Sequence, residues 1–368
     1  MALPADLKGR LAVYDAPNKP FEIRLFPVRP PKADEVLVKI RMSTICRSDI
    51  HSYLGHRPNP CPGLLGHEII GTILELGANI THDMRGDKLA VGDRITWSEY
   101  FIPGNNYYTE VLDLPQKSPG VDKYGHMAVT TEPYHHGGFG EYCYVLPQSW
   151  ILKLPEGLTD EEATPVNCGV ATMVSVTEQA EIKLGETVVV FGLGLLGLYG
   201  AALAKGRGAR LVIGLDNVPA RRELGLKFGC DHVFDPSSMA EADLVKAVKG
   251  LCKPEGADAV IEVCGYPEVA GPGLQFLRTG GRFVFGGTVN PGSNVTIDAN
   301  MVLRKLLTIR GVHNYHPRHL IEALDFVHGN RQRFPFHALV DGKYGLDQVG
   351  QAMQDAENRK VLRAAIVP

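Results

Sequence analysis

Short apolar runs broken by polar positions dominate the first third of the chain. "RLAVYD", "EVLVKIRM", "GTILELG", "DRITW" and "GEYCYVL" carry strand signals and are separated by Gly, Pro and Asp. Their spacing predicts a compact, barrel-like β domain. From about Pro155 the pattern changes. "TDEEATPVNCGVATMVSVTEQA" reads as one helical stretch, with Thr159 as N-cap and acids in the first turn. Apolar strands without strict alternation follow ("TVVVFG", "RLVIGLD", "HVFD", "ADAVIEVCG", "RFVFGG"). They are interleaved with helical "LLGLYGAALAKGRG", "ARRELGLKFG", "ADLVKAVKGLC" and "PGLQFLRTGG". Such strands predict a parallel sheet covered on both faces. A helix, "HLIEALDFVHG", and a strand, "VLRAAIVP", close the chain. The fold class is therefore α/β, a β-rich domain plus a doubly wound parallel-sheet domain. The expected boundaries are 1–169, 170–311 and a segment 312–368 that returns to the first domain.

Within the second region, "VVVFGLGLLG" places Gly192, Gly194 and Gly197 in a G-x-G-x-x-G arrangement, with Leu195 and Leu196 between them. Glycines are common, and the motif alone means little. Here an apolar strand precedes it, a helix follows it, and the next strand ends at Asp216. That context predicts a pyrophosphate site at a helix N-terminus, with Asp216 accepting from the adenosine ribose. A carboxylate there would repel a 2′-phosphate, which favours NAD over NADP. Arg221 and Arg222 argue the other way, since nearby arginines pair with such a phosphate.

Composition narrows the classes. The 38 basic and 41 acidic residues leave a formal charge of −3 with no block of like charge. Nucleic-acid and anionic-membrane binding thus lack electrostatic support. The opening "MALPADLKGR" has no apolar core and is not expected to be a secretory signal. The uncharged run from Thr187 to Ala204 is long enough to raise a membrane span, but its glycines favour the nucleotide reading. Seven scattered cysteines do not make a disulfide framework and suit a reducing cytoplasm.

Isolated Cys and His residues are ordinarily packing or surface residues. Three nevertheless invite a metal reading: Cys46 after a strand, His67 in "LLGHEIIG", and Cys168 in "PVNCGVAT". Two thiolates and an imidazole are a good zinc set, and a catalytic site leaves a fourth position open. The spacing alone does not establish that they meet.

"ICRSDIHSYLG", "GHEIIGTILELG", "VGDRITW", "NCGVAT" and "FGLGLLG" together resemble the zinc-dependent medium-chain alcohol dehydrogenases, in order and over essentially the whole chain. The resemblance implies a GroES-like catalytic domain, a Rossmann domain, and a homo-oligomer, dimer or tetramer. It implies that Cys46, His67 and Cys168 bind one catalytic zinc, with Glu68 beside it. It further implies that Asp49 orients the histidine ligand, Ser48 takes the substrate proton and His51 relays it. A small alcohol or carbonyl is then the substrate. The rival readings are a zinc-free enone or quinone reductase of the same superfamily, and a non-catalytic nucleotide-binding protein on this scaffold.

Two departures stand out. The lobe "WSEYFIPGNNYYTEVLDLPQKSPGVDKYGH" has no cysteine, so the four-cysteine structural zinc of many relatives is impossible there. Tyr107, Tyr108 and their neighbours are expected to pack the lobe instead. "LPQKSPGVDKYGH" and "LTIRGVHNYHPRHL" resemble a subgroup associated with phosphonate catabolism, with Ser118 replacing one of its cysteines. His126, His135, His136, His313 and His316 are read as anion-pocket candidates or, more simply, as surface and loop residues.

Overall fold

The computed structural model describes residues 4, 6–252 and 255–368. The reading of the opening residues falls in part on 1–3 and 5, which lie outside them. The chain divides into two compact units. One comprises Met1–Cys168, His316–Gly329 and Phe336–Pro368; the other comprises Gly169–Tyr315 and Asn330–Pro335.

The first unit is built on a sheet whose path runs Ile151–Lys153, Arg94–Trp97, Glu68–Leu76, Val36–Thr44, Ala364–Val367, Gly342–Gly345. Tyr142–Val145 also pairs with the central strand Val36–Thr44. Alternation along these strands buries Val36, Val38, Ile40, Ile69, Ile73, Ile95 and Trp97 in one cluster. A second cluster gathers Leu11, Val13, Tyr14, Leu65, Phe139, Met353 and Ile366. The closing strand enters the sheet because "AAIV" offers small and β-branched residues, and Ala365 pairs with Thr44.

That register sets up the chemistry. Thr44 also pairs with Glu68, so both strand ends and the C-terminal strand meet at one sheet end. Cys46, His67 and Arg363 are each within two residues of that meeting point.

The second unit is a six-stranded, all-parallel sheet in the order His232–Phe234, Leu211–Leu215, Thr187–Phe191, Ala257–Glu262, Leu277–Phe285, Thr308–Gly311. In chain order this is 3-2-1-4-5-6, the doubly wound dinucleotide-binding topology, and its switch point lies between the first and fourth strands. The run Thr187 to Ala204 is thus a strand and a helix. Among the described residues no helix is long and apolar enough to cross a membrane.

Two helix expectations need correction. The stretch from Thr159 is not one helix. Thr159 caps Asp160–Ala163 reciprocally with Glu162, a 3-10 turn covers Thr164–Asn167, and a new helix runs Gly169–Gln179. Pro165 has no N–H for a helical bond, so the chain breaks there. Farther on, the helix stops at Phe276, and the strand already starts at Leu277, which pairs with Ala257.

Candidate metal centre and nucleotide loop

The short helix Arg47–Tyr53 begins at Cys46 and is closed by its own sequence. Asp49 turns back to accept from the Cys46 amide (2.8 Å). The other Asp49 oxygen accepts from Gly66 N (3.2 Å) and faces His67 Nδ1 at 3.1 Å. One fully buried carboxylate thus joins the helix start to the loop before Glu68–Leu76. With Nδ1 engaged, His67 presents Nε2 to the space holding the other donors. Asn167 pins this arrangement through the backbone carbonyls of His67 (3.0 Å) and Trp97 (2.8 Å).

The broken helix brings Cys168 to the same place. One donor atom each from Cys46, His67, Glu68 and Cys168 lies within 4.8 Å of the others. All but Cys46 are buried, and Cys46 and Ser48 are half-buried. A hydrogen bond from Cys168 holds Cys46 well below the usual thiol range. The same bond, together with burial, raises Cys168 well above it. Glu68 is pushed up to about 7 by burial, against the pull of Arg363. Its carboxylate accepts from Thr44 Oγ1, and Arg363 stands 3.5 Å away. Ser48 Oγ is 3.5 Å from His67 Nε2, and His51 lies in the last turn of the same helix beside His56 (3.4 Å).

Three residues of this cluster escaped sequence reading. Glu99, 1 % exposed, sits 3.6 Å from His67 Nε2 and pairs with Lys123 (2.7 Å). Burial opposes its charge, but Lys123 holds it below the usual carboxylate range. Arg363 reaches back to Ile45 O (2.6 Å). The available signal was a lone charge inside an apolar run, as in "TWSEYF" and "VLRAAIV".

The histidine expectations divide. His135 and His136 are buried against the carbonyls of Phe26 (3.4 Å) and Ala128 (3.3 Å), so they are neither surface residues nor anion contacts. Burial lowers both, His135 to about 4, and keeps them uncharged. His126 lies edge-on to His67 with ring centroids 5.4 Å apart. His316 pairs with Asp113 (3.0 Å), and His313 is exposed. The lobe is also corrected. Tyr107 is 60 % exposed, its ring meeting that of half-buried Tyr108 edge-on with centroids 6.2 Å apart. Order there comes from Asn106, which caps the turn Tyr107–Glu110 and bonds Ser118 Oγ (2.5 Å). All seven cysteines are unbridged.

The second unit carries the glycine loop. Gly192 has φ +91°, and a Cβ on Gly197 would lie 1.7 Å from Gly192 O, so neither tolerates a side chain. Gly194 caps the helix Leu195–Gly206, whose first turn holds Leu195 and Leu196. Asp216, 6 % exposed, accepts from Leu193 N and Val218 N, both at 2.8 Å. Arg221 is 3.8 Å from its carboxylate, while Arg222 is tied to Asp216 O (2.8 Å) and Asp235 (3.1 Å).

Residues 32–156 match the family described as alcohol dehydrogenase GroES-like domain, and 196–329 match zinc-binding dehydrogenase. A probable D-xylulose reductase A of Aspergillus clavatus is 31 % identical over 340 residues, 90 % of this chain and 89 % of that protein. A sorbitol dehydrogenase of Halalkalibacterium halodurans is 27 % identical, covering 95 % and 96 %. The crystal structure of an alcohol dehydrogenase from Thermotoga maritima superposes with a TM-score of 0.94 at 26 % identity, covering 98 % of this chain and all of that one.

Proposed function

The chain belongs to the zinc-type medium-chain alcohol dehydrogenase family and is an alcohol-type oxidoreductase, and we propose that it interconverts a small polar alcohol and its aldehyde or ketone with NAD. The observation that carries this reading is the convergence of Cys46, His67, Glu68 and Cys168 donors within 4.8 Å. Two sulfurs, an imidazole nitrogen and a carboxylate suit zinc, whose bonds to sulfur and nitrogen are about 2.0–2.3 Å long. Cys46, His67 and Cys168 would hold the ion, with Glu68 beside it. When bound, zinc supplies a Lewis acid that lowers the pKa of an alcohol.

The remaining steps fall to side chains. Ser48 Oγ, against His67 Nε2, takes the substrate hydroxyl proton. His51 exchanges it with solvent; burial and Arg47 lower its pKa, so it stands ready as a neutral acceptor. Asp49 fixes the ring orientation of His67, as ligand imidazoles require. Asp216 supports NAD, because its carboxylate opposes a 2′-phosphate and draws in Arg221. The names of the relatives support a hydroxyl-bearing substrate. A phosphonate-related alcohol rests on two short segments alone.

The test is NAD-linked turnover across a panel of primary, secondary, sugar and phosphonate alcohols, with metal removed and restored. Activity should vanish on chelation and return with zinc. Cys46→Ser should abolish it while circular dichroism stays unchanged. Full turnover by zinc-free protein would overturn the proposal in favour of a metal-free reductase.

A further inference from the structure

We propose that His56 is the outer end of the proton path: it fixes the tautomer of His51 and carries the proton between His51 and water. It acts through His51 and is a positioning residue for the reaction. This rests on the alcohol dehydrogenase reading above and deepens it.

The local sequence brings the two rings together. The helix Arg47–Tyr53 closes with Leu54 N on Ile50 O (2.9 Å) and Gly55 N on Ser52 O (3.1 Å). Gly55 then takes φ +76°, and a Cβ there would stand 3.0 Å from Pro17 Cβ, so the turn calls for glycine. Arg57 N reaches back to His51 O (3.2 Å) and fixes the reversal. His56 is thereby laid over the end of the helix, with its Nδ1 3.4 Å from His51 Nδ1 and ring centroids 5.7 Å apart. His51 is half-buried and His56 is exposed, so the pair leads outward.

Two facing Nδ1 atoms make one hydrogen bond only when a single proton lies between them. With His51 as the donor, its Nδ1 keeps that proton and its Nε2 is left bare to accept another, since the partner of one ring nitrogen sets the state of the other. When Nε2 gains a proton, the N–H bond at His51 Nδ1 breaks and one forms at His56 Nδ1. His56 then releases a proton to water, and carbonyl reduction runs the same steps in reverse. The charged or titratable groups facing His51 are Cys46 and Arg47 on its own side and His56 and Arg57 on the returning chain. Arginine stays protonated and Cys46 is a candidate ligand, so of these His56 is the group able to take the proton. Burial, then Arg47 and His56, holds His51 below the usual histidine range, which favours passing a proton on.

The experiment measures kcat/KM for the alcohol turned over best in the panel above, using zinc-loaded wild type, His56→Phe and His56→Gln. HEPES, a buffer too bulky for the metal centre, is raised from low to high concentration at constant ionic strength. Glutamine can still hydrogen-bond His51 but cannot carry a proton. A direct acid–base group contributes about 10²–10⁴-fold, so a group acting through one should contribute less, about 10-fold. Both variants should lose that much at low buffer and regain it at high buffer, with zinc content and Tm unchanged, while the wild type ignores the buffer. Undiminished turnover in either variant, or a loss that buffer does not restore, would overturn the proposal. The pairing is also read without turnover: the imidazole nitrogen shifts of His51 by NMR should move in His56→Phe, and unmoved shifts would overturn it. A wild type that turns over no alcohol, but whose His51 shifts respond as expected, would instead overturn the function on which the proposal rests.

Discussion

Asp216 allows a prediction that separates binding from bracing. Its two oxygens accept the amides of Leu193, inside the glycine loop, and of Val218, just before the next helix, both at 2.8 Å. Asp216→Ala leaves a buried N–H at Leu193 and a half-buried one at Val218 without acceptors. At about 1–3 kcal/mol each, with water entering the vacated space, the expected loss is about 2–4 kcal/mol. For a unit of this size that corresponds to a fall in Tm of roughly 5–15 °C. Asp216→Asn keeps one acceptor but turns a donor toward the other amide, so it should fall in between.

Cofactor choice should move separately. Removing the carboxylate frees Arg221, 3.8 Å away, to meet a 2′-phosphate. The ratio of NADP to NAD affinity should rise at least about tenfold, which is about 1.4 kcal/mol. Thermal unfolding without cofactor reads the brace, and calorimetric titration with each nucleotide reads the selection. An Ala variant with the wild-type Tm would refute the bracing argument. An unchanged affinity ratio would place the selector elsewhere.

Three further outcomes are expected. His135 is held at about 4 against an ordinary 6.5, so the unfolded chain binds its proton first as pH falls. Its stabilising contribution is complete above about pH 6.5 and is lost between there and about 4, in total about 3 kcal/mol. Denaturant unfolding at pH 7 and pH 5 should show a smaller drop in His135→Phe than in the wild type; equal drops would refute it. Asp49→Asn should weaken zinc retention about 10- to 100-fold in chelator competition, because the carboxylate no longer orients His67. Glu262 is fully buried and accepts from Gly265 N, Gly287 N, Thr288 N and Thr288 Oγ1, joining the loops after two adjacent strands. Glu262→Gln replaces one acceptor oxygen with a donor and should lower Tm by several degrees, with hydrogen exchange rising in both loops.

The parts of this protein that were legible in its sequence are those a single element decides. The glycine loop is one, because Gly192 and Gly197 are required by local backbone geometry where the strand turns into the helix, and Gly194 leaves open space at the helix start, where a phosphate would approach. The strand ends at Thr44 and Glu68 are another, since alternation marks them and Cys46 and His67 lie just beyond. The break at Cys168 was not read, although Pro165 stood in plain view, because helical periodicity on both sides outweighed one residue. Tyr107 was misjudged for a related reason: aromatic identity suggests packing, but the capping of Asn106 orders the turn without it.

What stayed illegible depends on two distant elements meeting. Glu99 shows in "TWSEYF" as a lone charge, but nothing local ties it to Lys123, which ends a two-residue strand. Only the pairing of Tyr100 with Lys123 across a two-stranded ribbon places the ammonium on the carboxylate. Arg363 likewise stands out in "VLRAAIV" as a lone charge, but its partner is set only when Ala365 pairs with Thr44 and carries it to Glu68. The candidate ligands Cys46 and His67 lie beside strand ends that local pattern marks, whereas Cys168 lies at a helix break that it does not, so the residue pattern alone left the set open and the reaction class came from the resemblance of the motifs.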